Sequence, residues 1–271
     1  MTRVVTASVL VVAVYLILKV APLWAFWSMI GFVAIVGVFE MSAMLARGGR
    51  KPWRWLALLG TLSITATFLR EEPPLAPVLA AFLVTLFVMM LLSRETPAHA
   101  VDRMLGTLLP VFYLGLTVGH LGGLLAVENA QARERGEDLI ALALFAVYCG
   151  DTFAYFGGRA FGKHKLAPRI SPGKTIEGAA FGLVGSVLGA TLAPLWFFQR
   201  LPLGHALLLG AILGSAGILG DLAESLLKRA SDVKDSGGLL PGHGGMLDRI
   251  DSLLLAAPVL YWYHRLFLTG L

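Results

Sequence analysis

Charged residues are scarce in this chain. Asp, Glu, Lys and Arg make up 14% of its 271 residues, whereas hydrophobic residues make up 57%. A soluble domain has roughly 25% charged and about 45–50% apolar residues. The composition therefore excludes a water-soluble globular protein. The net charge of +5 indicates contact with a membrane surface rather than with nucleic acid.

Cysteine is limited to Cys149, so an intrachain disulfide is excluded. The chain also lacks an internal repeat and a low-complexity tail, which favours one membrane domain. No small-residue cleavage site follows the first apolar stretch, 4–18. We therefore expect that stretch to be a retained helix rather than a signal peptide.

Apolar stretches recur along the chain, and each can cross a hydrocarbon core roughly 30 Å thick. They predict an all-α polytopic membrane protein with about nine transmembrane helices. We expect about five helices in 1–138, and in 139–271 the remaining helices with the catalytic cytoplasmic loops. The predicted breaks between helices include 47–52, 71–74 and 128–138. The helices are predicted near 4–19, 22–46, 53–69, 75–93, 103–127, 139–158, 176–198, 204–229 and 248–268.

Basic residues are distributed unequally between alternating loops. With the N-terminus in the cytoplasm and the C-terminus outside, 16 of the 22 Lys and Arg residues lie on the cytoplasmic side. Short cytoplasmic loops are enriched in these residues, so this orientation is favoured. We expect an integral protein of a bacterial inner (plasma) membrane, with its active site facing the cytoplasm.

Glycines recur at four-residue spacing in several predicted helices and allow close helix packing. Packing within the chain is the first interpretation of this pattern, and a homodimer through glycine-rich helix faces is the second. The pairs are Gly115 and Gly119, Gly178 and Gly182, Gly185 and Gly189, and Gly210 and Gly214.

Several acidic residues lie inside apolar segments or at their ends, where a charge costs roughly 2.5–3.5 kcal/mol on insertion scales. Such residues are usually functional or paired. Glu40 stands apart from the others, and both a paired structural role and a site role are open for it. The residues are Glu40, Asp151, Asp221, Glu224, Asp248 and Asp251.

The densest polar cluster spans 221–252. Asp221, Glu224 and Lys228 share one helix face, and Asp248 with Asp251 repeats the spacing on the next helix. Carboxylates are the ligands that Mg²⁺ prefers, and Lys and Arg hold phosphate oxygens. The glycines between the helices allow backbone N–H groups to line an anion-binding concavity. The alternative is a set of ion pairs that joins two helices and a loop.

A second polar cluster spans 151–178 and contains Gly173-Lys174-Thr175. A P-loop is excluded because its pattern requires glycine at Pro168, and we predict no strand before it. A basic loop remains, with a helix N-terminus after Pro172 that suits phosphate. The alternative is an electrostatic role toward lipid headgroups.

Residues 225–251 read S-L-L-K-R-A-S-D-V-K-D-S-G-G-L-L-P-G-H-G-G-M-L-D-R-I-D. This stretch resembles the signature of the phosphatidate cytidylyltransferase (CDP-diacylglycerol synthase) family. The stretch 151–178 is similar to a second block of that family, and the resemblance covers about 148–252. Gly173 stands where the family often has Lys, whereas Lys174 keeps its match.

The resemblance implies a nucleotidyltransferase of phospholipid synthesis that uses CTP and phosphatidic acid, with Mg²⁺ and more than one divalent ion. It implies Asp221, Asp248 and Asp251 as metal ligands, with Lys228 and Arg229 beside them as catalytic residues. A CTP-dependent polyprenol or dolichol kinase is the nearest alternative, and a cation transporter is an alternative of another class. The substrate-binding residues are predicted to be Asp151, Arg159, Ser171, Lys174, Glu224, Lys234, Asp235, His243 and Arg249.

Overall fold

A computed structural model describes residues 14, 16–69, 74–125, 130–238 and 244–268, with only the backbone for 130–132. From Leu23 onwards, the described residues form eight α-helices and one short antiparallel hairpin, and a π-helical turn, His264–Leu268, follows the last helix. The helices are α1 (Leu23–Arg47), α2 (Arg54–Leu69), α3 (Leu75–Leu91), α4 (Pro97–Gly123), α5 (Ala130–Phe161), α6 (Ile176–Trp196), α7 (Leu203–Ala230) and α8 (Leu247–Tyr263).

The prediction of an all-α membrane protein is confirmed at this level. Five of the described helices are long and apolar enough to cross a membrane, by length and composition: α1, α4, α6, α7 and the part of α5 from Arg133. The bounds of α1, α2, α3, α6 and α7 lie within two residues of the predicted ones. The first predicted helix, 4–19, falls largely outside the described residues.

Two predicted loop boundaries are wrong. Residues 128–138 were expected to break the chain, but α5 is helical from Ala130. The Arg133 Nε donates to Glu137 Oε1 at 2.9 Å, and such i,i+4 pairs stabilise a helix despite its charge. Helix α4 begins at Pro97 instead of near 103, because proline is tolerated in the first helical turn.

The segment predicted as a basic loop contains a β-hairpin. Strands β1 (Lys165–Ala167) and β2 (Ser171–Thr175) pair antiparallel, with Lys165 opposite Thr175. Gly173 and Lys174 therefore lie within a strand, not in a loop that follows one. The next helix begins at Ile176, as predicted, and the Gly178 N–H donates to the capping Thr175 Oγ1 at 3.1 Å.

The chain divides into two compact units that do not follow chain order. Unit 1 comprises Met1–Ala126 and Leu227–Arg249, and unit 2 comprises Val127–Leu226 and Ile250–Leu271. Helices α7 and α8 each contribute residues to both units. Within unit 1, α2 packs closely on α4: a Cβ added at Gly115 would lie 3.1 Å from Ile64 Cβ. The Trp53 N–H also donates to Thr107 Oγ1 at 3.0 Å.

Glycines allow close helix contact in unit 2. A Cβ added at Gly182 would lie 3.1 Å from Ala154 Cβ, and one at Gly210 would lie 2.6 Å from the Val187 backbone. Helix packing within the chain is therefore confirmed for the predicted glycine pairs. The homodimer stays a prediction, and these glycines already contact neighbouring helices of their own unit.

Candidate functional site

The predicted site residues fall into two groups, one in each unit. His243 lies outside the described residues. Unit 1 holds Lys228, Arg229, Lys234, Asp235, Asp248 and Arg249. Unit 2 holds Asp151, Arg159, Ser171, Lys174, Asp221, Glu224 and Asp251.

In unit 1, Asp248 joins the end of α7 to the start of α8. The Lys228 Nζ donates to Asp248 Oδ1 at 2.6 Å, and the two side chains are only 13% and 7% exposed. The other carboxylate oxygen, Oδ2, accepts from the Ser236 N–H, the Ser236 hydroxyl and the Gly245 N–H, each at 2.9 Å. Both oxygens of this carboxylate therefore bind protein groups.

Glu40 on α1 has partners that its sequence context does not reveal. Its Oε1 accepts from the Met246 N–H at 2.9 Å, and its Oε2 accepts from the Leu247 N–H at 3.0 Å. The Ser236 hydroxyl also lies 3.3 Å from Oε2. Because the first N–H groups of a helix have no partner inside it, Glu40 caps α8 and places negative charge at its positive end.

The glycines of this loop allow the two carboxylates to approach the backbone. Gly244 has φ +82°, a conformation that favours glycine. A Cβ added at Gly245 would lie 2.7 Å from Glu40 Oε2, and one at Gly237 would collide with the Glu40 carboxylate. The anion-binding concavity expected here does form, and its described donors bind the carboxylates of Glu40 and Asp248.

An open groove of about 890 Å³ lies in unit 1 between α1 and the loop after α7. Its α1 side is apolar over most of its length and ends at Arg47. Its loop side is polar and includes Lys234 and Asp235, which are both exposed. This groove was not predicted from the sequence, although Val36, Phe39, Ala43 and Arg47 are spaced along one helix face. The α1 residues of the groove are Val36, Phe39, Glu40, Ala43, Met44 and Arg47, and the loop residues are 232–238.

In unit 2, Lys174 on β2 pairs with Asp221 on α7. The Nζ of Lys174 lies 2.6 Å from Asp221 Oδ2, and the side chains are 25% and 32% exposed. The Ser225 hydroxyl donates to Asp221 Oδ1 at 3.3 Å. This ion pair links the two sequence clusters, 151–178 and 221–252, and remains accessible to solvent.

A second carboxylate, that of Asp151, interacts with this pair and also with a third, that of Asp251. Asp151 interacts electrostatically with Lys174, Asp221 and Asp251, and its side chain hydrogen-bonds Ser252. Asp251 Oδ1 accepts from the Ser252 N–H at 2.7 Å. The cluster thus contains three carboxylates and one ammonium group among these residues. The carboxylates outnumber the ammonium group, and carboxylate oxygens are the ligands that Mg²⁺ prefers, so the cluster is chemically suited to Mg²⁺.

A metal-binding geometry is not formed in the described part of the chain. No group of three or more His, Cys, Asp or Glu residues there is arranged to hold a metal ion. Asp221 pairs with a lysine instead, as described above. The carboxylates of the unit 2 cluster are chemically suited to a divalent cation, but their binding of one stays a prediction.

The N-terminus of α6 is less available to phosphate than the sequence predicts. The Ile176 N–H donates to the His164 carbonyl at 2.9 Å, and the Gly178 N–H is bound to Thr175. The Glu177 carboxylate also accepts from the Lys163 N–H at 3.0 Å and lies 2.6 Å from His164 Nδ1. These contacts fix the hairpin against the helix start and leave the Lys174 ammonium as the phosphate-binding candidate here.

The remaining predicted residues have varied surroundings. Arg159 is exposed, with its Nη1 3.3 Å from the Tyr155 hydroxyl, and Ser171 is half-buried at the start of β2. Glu224 is buried, with 1% exposure. Arg229 and Arg249 in unit 1 are exposed. The four arginine and serine side chains are thus at least partly accessible, whereas Glu224 is not.

Comparison with known proteins shows similarity over nearly the whole chain. The model of the cytidylyltransferase family matches residues 1–267. A phosphatidate cytidylyltransferase of Bacillus subtilis is 33% identical over 269 residues, covering 96% of each chain. A phosphatidate cytidylyltransferase of Synechocystis is 31% identical and covers 98% of this chain and 97% of its own length. A third, from Helicobacter pylori, is 34% identical over 94% of this chain and 88% of its own length.

Proposed function

Because the chain belongs to the cytidylyltransferase family, we propose that it transfers the CMP moiety of CTP to phosphatidic acid, giving CDP-diacylglycerol and pyrophosphate. The observation that carries this proposal is the near full-length similarity to relatives named phosphatidate cytidylyltransferase. The acidic and basic groups of unit 2 support it, because the reaction brings two polyanions together.

The chemistry requires charge neutralisation more than a base. A phosphate oxygen of phosphatidate forms a bond to the α-phosphorus of CTP, and the bond from that phosphorus to the bridging oxygen breaks. The bonding electrons leave with pyrophosphate. The attacking monoester is already ionised near neutral pH, so the protein need not remove a proton. Such reactions depend mainly on positioning and electrostatic stabilisation.

We assign these tasks to named groups in each unit. In unit 2, Lys174 would hold a phosphate, and Asp221 and Asp251 would hold Mg²⁺ with Asp151 close by. When bound, Mg²⁺ supplies positive charge to the phosphate oxygens. In unit 1, the positively charged side chains of Arg229, Lys234 and Arg249 would bind phosphate groups of the substrates. The predicted metal and phosphate roles of Asp248 and Lys228 stay predictions, since the two bind each other here. Asp235 in the loop, and His243 outside the described residues, likewise keep their predicted substrate roles.

The unit 1 groove supports a lipid substrate. Val36, Phe39 and Ala43 give it an apolar wall, and Arg47 lies at its end. An amphipathic lipid has the matching arrangement of acyl chain and anionic headgroup. The groove volume of about 890 Å³ is within the usual range for ligand sites, roughly 300–1,000 Å³.

Purified protein in detergent with CTP, phosphatidate and Mg²⁺ tests the function. Pyrophosphate should form only when both substrates are present. Formation of CDP instead would indicate γ-phosphoryl transfer, as in a CTP-dependent kinase. If folded protein turned over neither phosphatidate nor a polyprenol or dolichol, the enzyme proposal would be contradicted.

The orientation can be tested by thiol labelling. We propose that the hairpin 165–175 faces the cytoplasm and the turn between α6 and α7 faces outside. In a Cys149→Ala background, Gly173→Cys should resist a membrane-impermeant thiol reagent in intact cells, whereas Gln199→Cys should react. Gly173 tolerates the change because nothing lies within 4 Å of an added Cβ. The opposite labelling pattern would invert the topology.

Lys174→Ala should raise the KM for CTP or phosphatidate, or lower kcat, by about tenfold or more, because a charge-assisted phosphate contact is lost. Lys165→Ala is the matched control, since Lys165 is an exposed cation on the paired strand. Steady-state kinetics of both purified variants provide the measurement. Equal effects of the two substitutions would show that the hairpin contributes only general surface charge.

A further inference from the structure

Glu40 is a buried acidic residue of α1 to which neither the family resemblance nor the proposed reaction gives a role. It lies seven residues before the end of the helix, about 10 Å from Arg47 along the axis. A carboxylate at such a position in an apolar helix is costly unless it is bound. Its exposure is 9%, and the groups that bind it come from residues 236–247 of the signature stretch.

The contacts of Glu40 join two separate parts of that stretch. On one side is Ser236, which precedes the residues that the structure does not describe. On the other side are Met246 and Leu247, where α8 begins. Asp248 binds the same two parts through Ser236 and Gly245. Glu40 on α1 and Asp248 on α8 therefore each bind both described ends of the loop.

The packing around Glu40 leaves little freedom. A Cβ added at Gly37, one turn earlier on α1, would lie 3.3 Å from the Leu247 side chain. A Cβ added at Gly237 would collide with the Glu40 carboxylate, and one at Gly245 would collide with the Ser236 hydroxyl and lie 2.7 Å from Glu40 Oε2. The first residue of α8, Leu247, thus packs close to α1 at Gly37 and donates its N–H to Glu40 on the same helix.

We propose that Glu40 is a positioning residue: through the Met246 and Leu247 N–H groups and Ser236 it sets the start of α8 and the loop carrying Lys234 and Asp235. The consequence for the reaction rests on the proposed function. Asp248 is the second residue of α8, and Asp251 lies one turn later on the same helix. A shift of the helix start would displace both carboxylates and their phosphate-binding neighbours.

Glu40→Gln tests this proposal with almost unchanged shape. An amide offers one acceptor oxygen, and its NH₂ group opposes whichever backbone N–H it faces. Hydrogen–deuterium exchange of a peptide covering 244–249 should become about tenfold faster or more, while a peptide of α4 stays unchanged. kcat/KM for CDP-diacylglycerol formation should fall about tenfold or more, measured per folded molecule.

Thr65→Val is the matched control. Thr65 is buried in the same unit, and its hydroxyl donates to the Gly115 carbonyl at 3.4 Å, away from the loop. This variant should lose thermal stability while keeping kcat/KM within about twofold of wild type, because the loop contacts are intact. If Glu40→Gln does not fold, Glu40→Asp applies the same test, because the shorter side chain withdraws the carboxylate from the Met246 and Leu247 N–H groups.

Two results would overturn the proposal. One is unchanged exchange at 244–249 in the folded variant, and the other is faster exchange with kcat/KM still within about twofold of wild type. The exchange measurement needs no substrate. A wild-type protein that lacks cytidylyltransferase activity would therefore contradict the proposed function without removing the test of how Glu40 holds the loop.

Discussion

Asp248→Asn should lower turnover by about 100-fold or more, equivalent to about 2.7 kcal/mol of activation free energy. The substitution keeps the shape but removes the charge. One amide group must then face either the Lys228 ammonium or the three donors on Oδ2. Both sets are donors, so either orientation of the NH₂ group places donor against donor. The loss is expected whether the carboxylate holds Mg²⁺, the loop, or both.

The measurement is kcat and KM for CTP and phosphatidate, with monodispersity in detergent as the folding check. Asp232→Asn is the matched control in the same loop. Asp232 is exposed and has φ +52°, and it lines the loop side of the groove without a predicted metal, phosphate or catalytic role. Asparagine tolerates this backbone region well. It should retain activity within about twofold of wild type. A folded Asp248→Asn with near-normal turnover would show that neither its charge nor its loop contacts matter for catalysis.

Asp221→Asn should also cost about 100-fold in turnover, and it should raise the Mg²⁺ concentration needed for half-maximal activity. The carboxylate is partly exposed and shares its surroundings with Asp151 and Asp251. Replacing it removes a hard anionic donor and leaves Lys174 without its ion-pair partner. Turnover titrated against Mg²⁺ is the measurement.

The Mg²⁺ titration separates two roles of Asp221. If it serves only as the partner of Lys174, Asp221→Asn and Lys174→Ala should give similar losses and an unchanged Mg²⁺ requirement. If Asp221 binds the metal, the Mg²⁺ concentration needed for half-maximal activity should rise in Asp221→Asn but not in Lys174→Ala. Stronger activity in Asp221→Asn than in wild type would contradict both roles. Exposed ion pairs contribute only about 0–1 kcal/mol, so the pair by itself would not explain a 100-fold loss.

The helices were predictable from the sequence because their signal is local. A run of apolar residues such as that of α1 or α7 specifies a membrane helix without reference to the rest of the chain. The charged start of α5 was predicted wrongly for the same reason. Composition indicates a break at 128–138, while the Arg133–Glu137 pair, one turn apart, stabilises a helix.

The sequence predicts candidate site residues, but it does not predict how their side chains pair. Asp221 and Lys174 were identified separately, and only the structure shows them 2.6 Å apart. Glu40 could not be assigned because its partners are backbone N–H groups about 200 residues away, at Met246 and Leu247. Backbone donors carry no side-chain signature. The hairpin 165–175 was missed because each strand has at most five residues and no alternating apolar pattern.

The glycine-rich loop illustrates a related limit. Glycine indicates that something approaches the backbone closely, but does not say what. An anion-binding concavity was expected here, and the described donors of Gly245, Met246 and Leu247 bind two carboxylates of the protein. The sequence indicates donors for an anion, and only the fold shows that two carboxylates of the chain bind the described ones.

CTP labelled separately at the α- and γ-phosphates gives the most direct test of the central claim. Purified protein with phosphatidate and Mg²⁺ should transfer the α-label into the lipid fraction and release the γ-label as pyrophosphate. Omission of phosphatidate should abolish both. Transfer of the γ-label to lipid, with the α-label retained in soluble CDP, would contradict the account and identify a kinase.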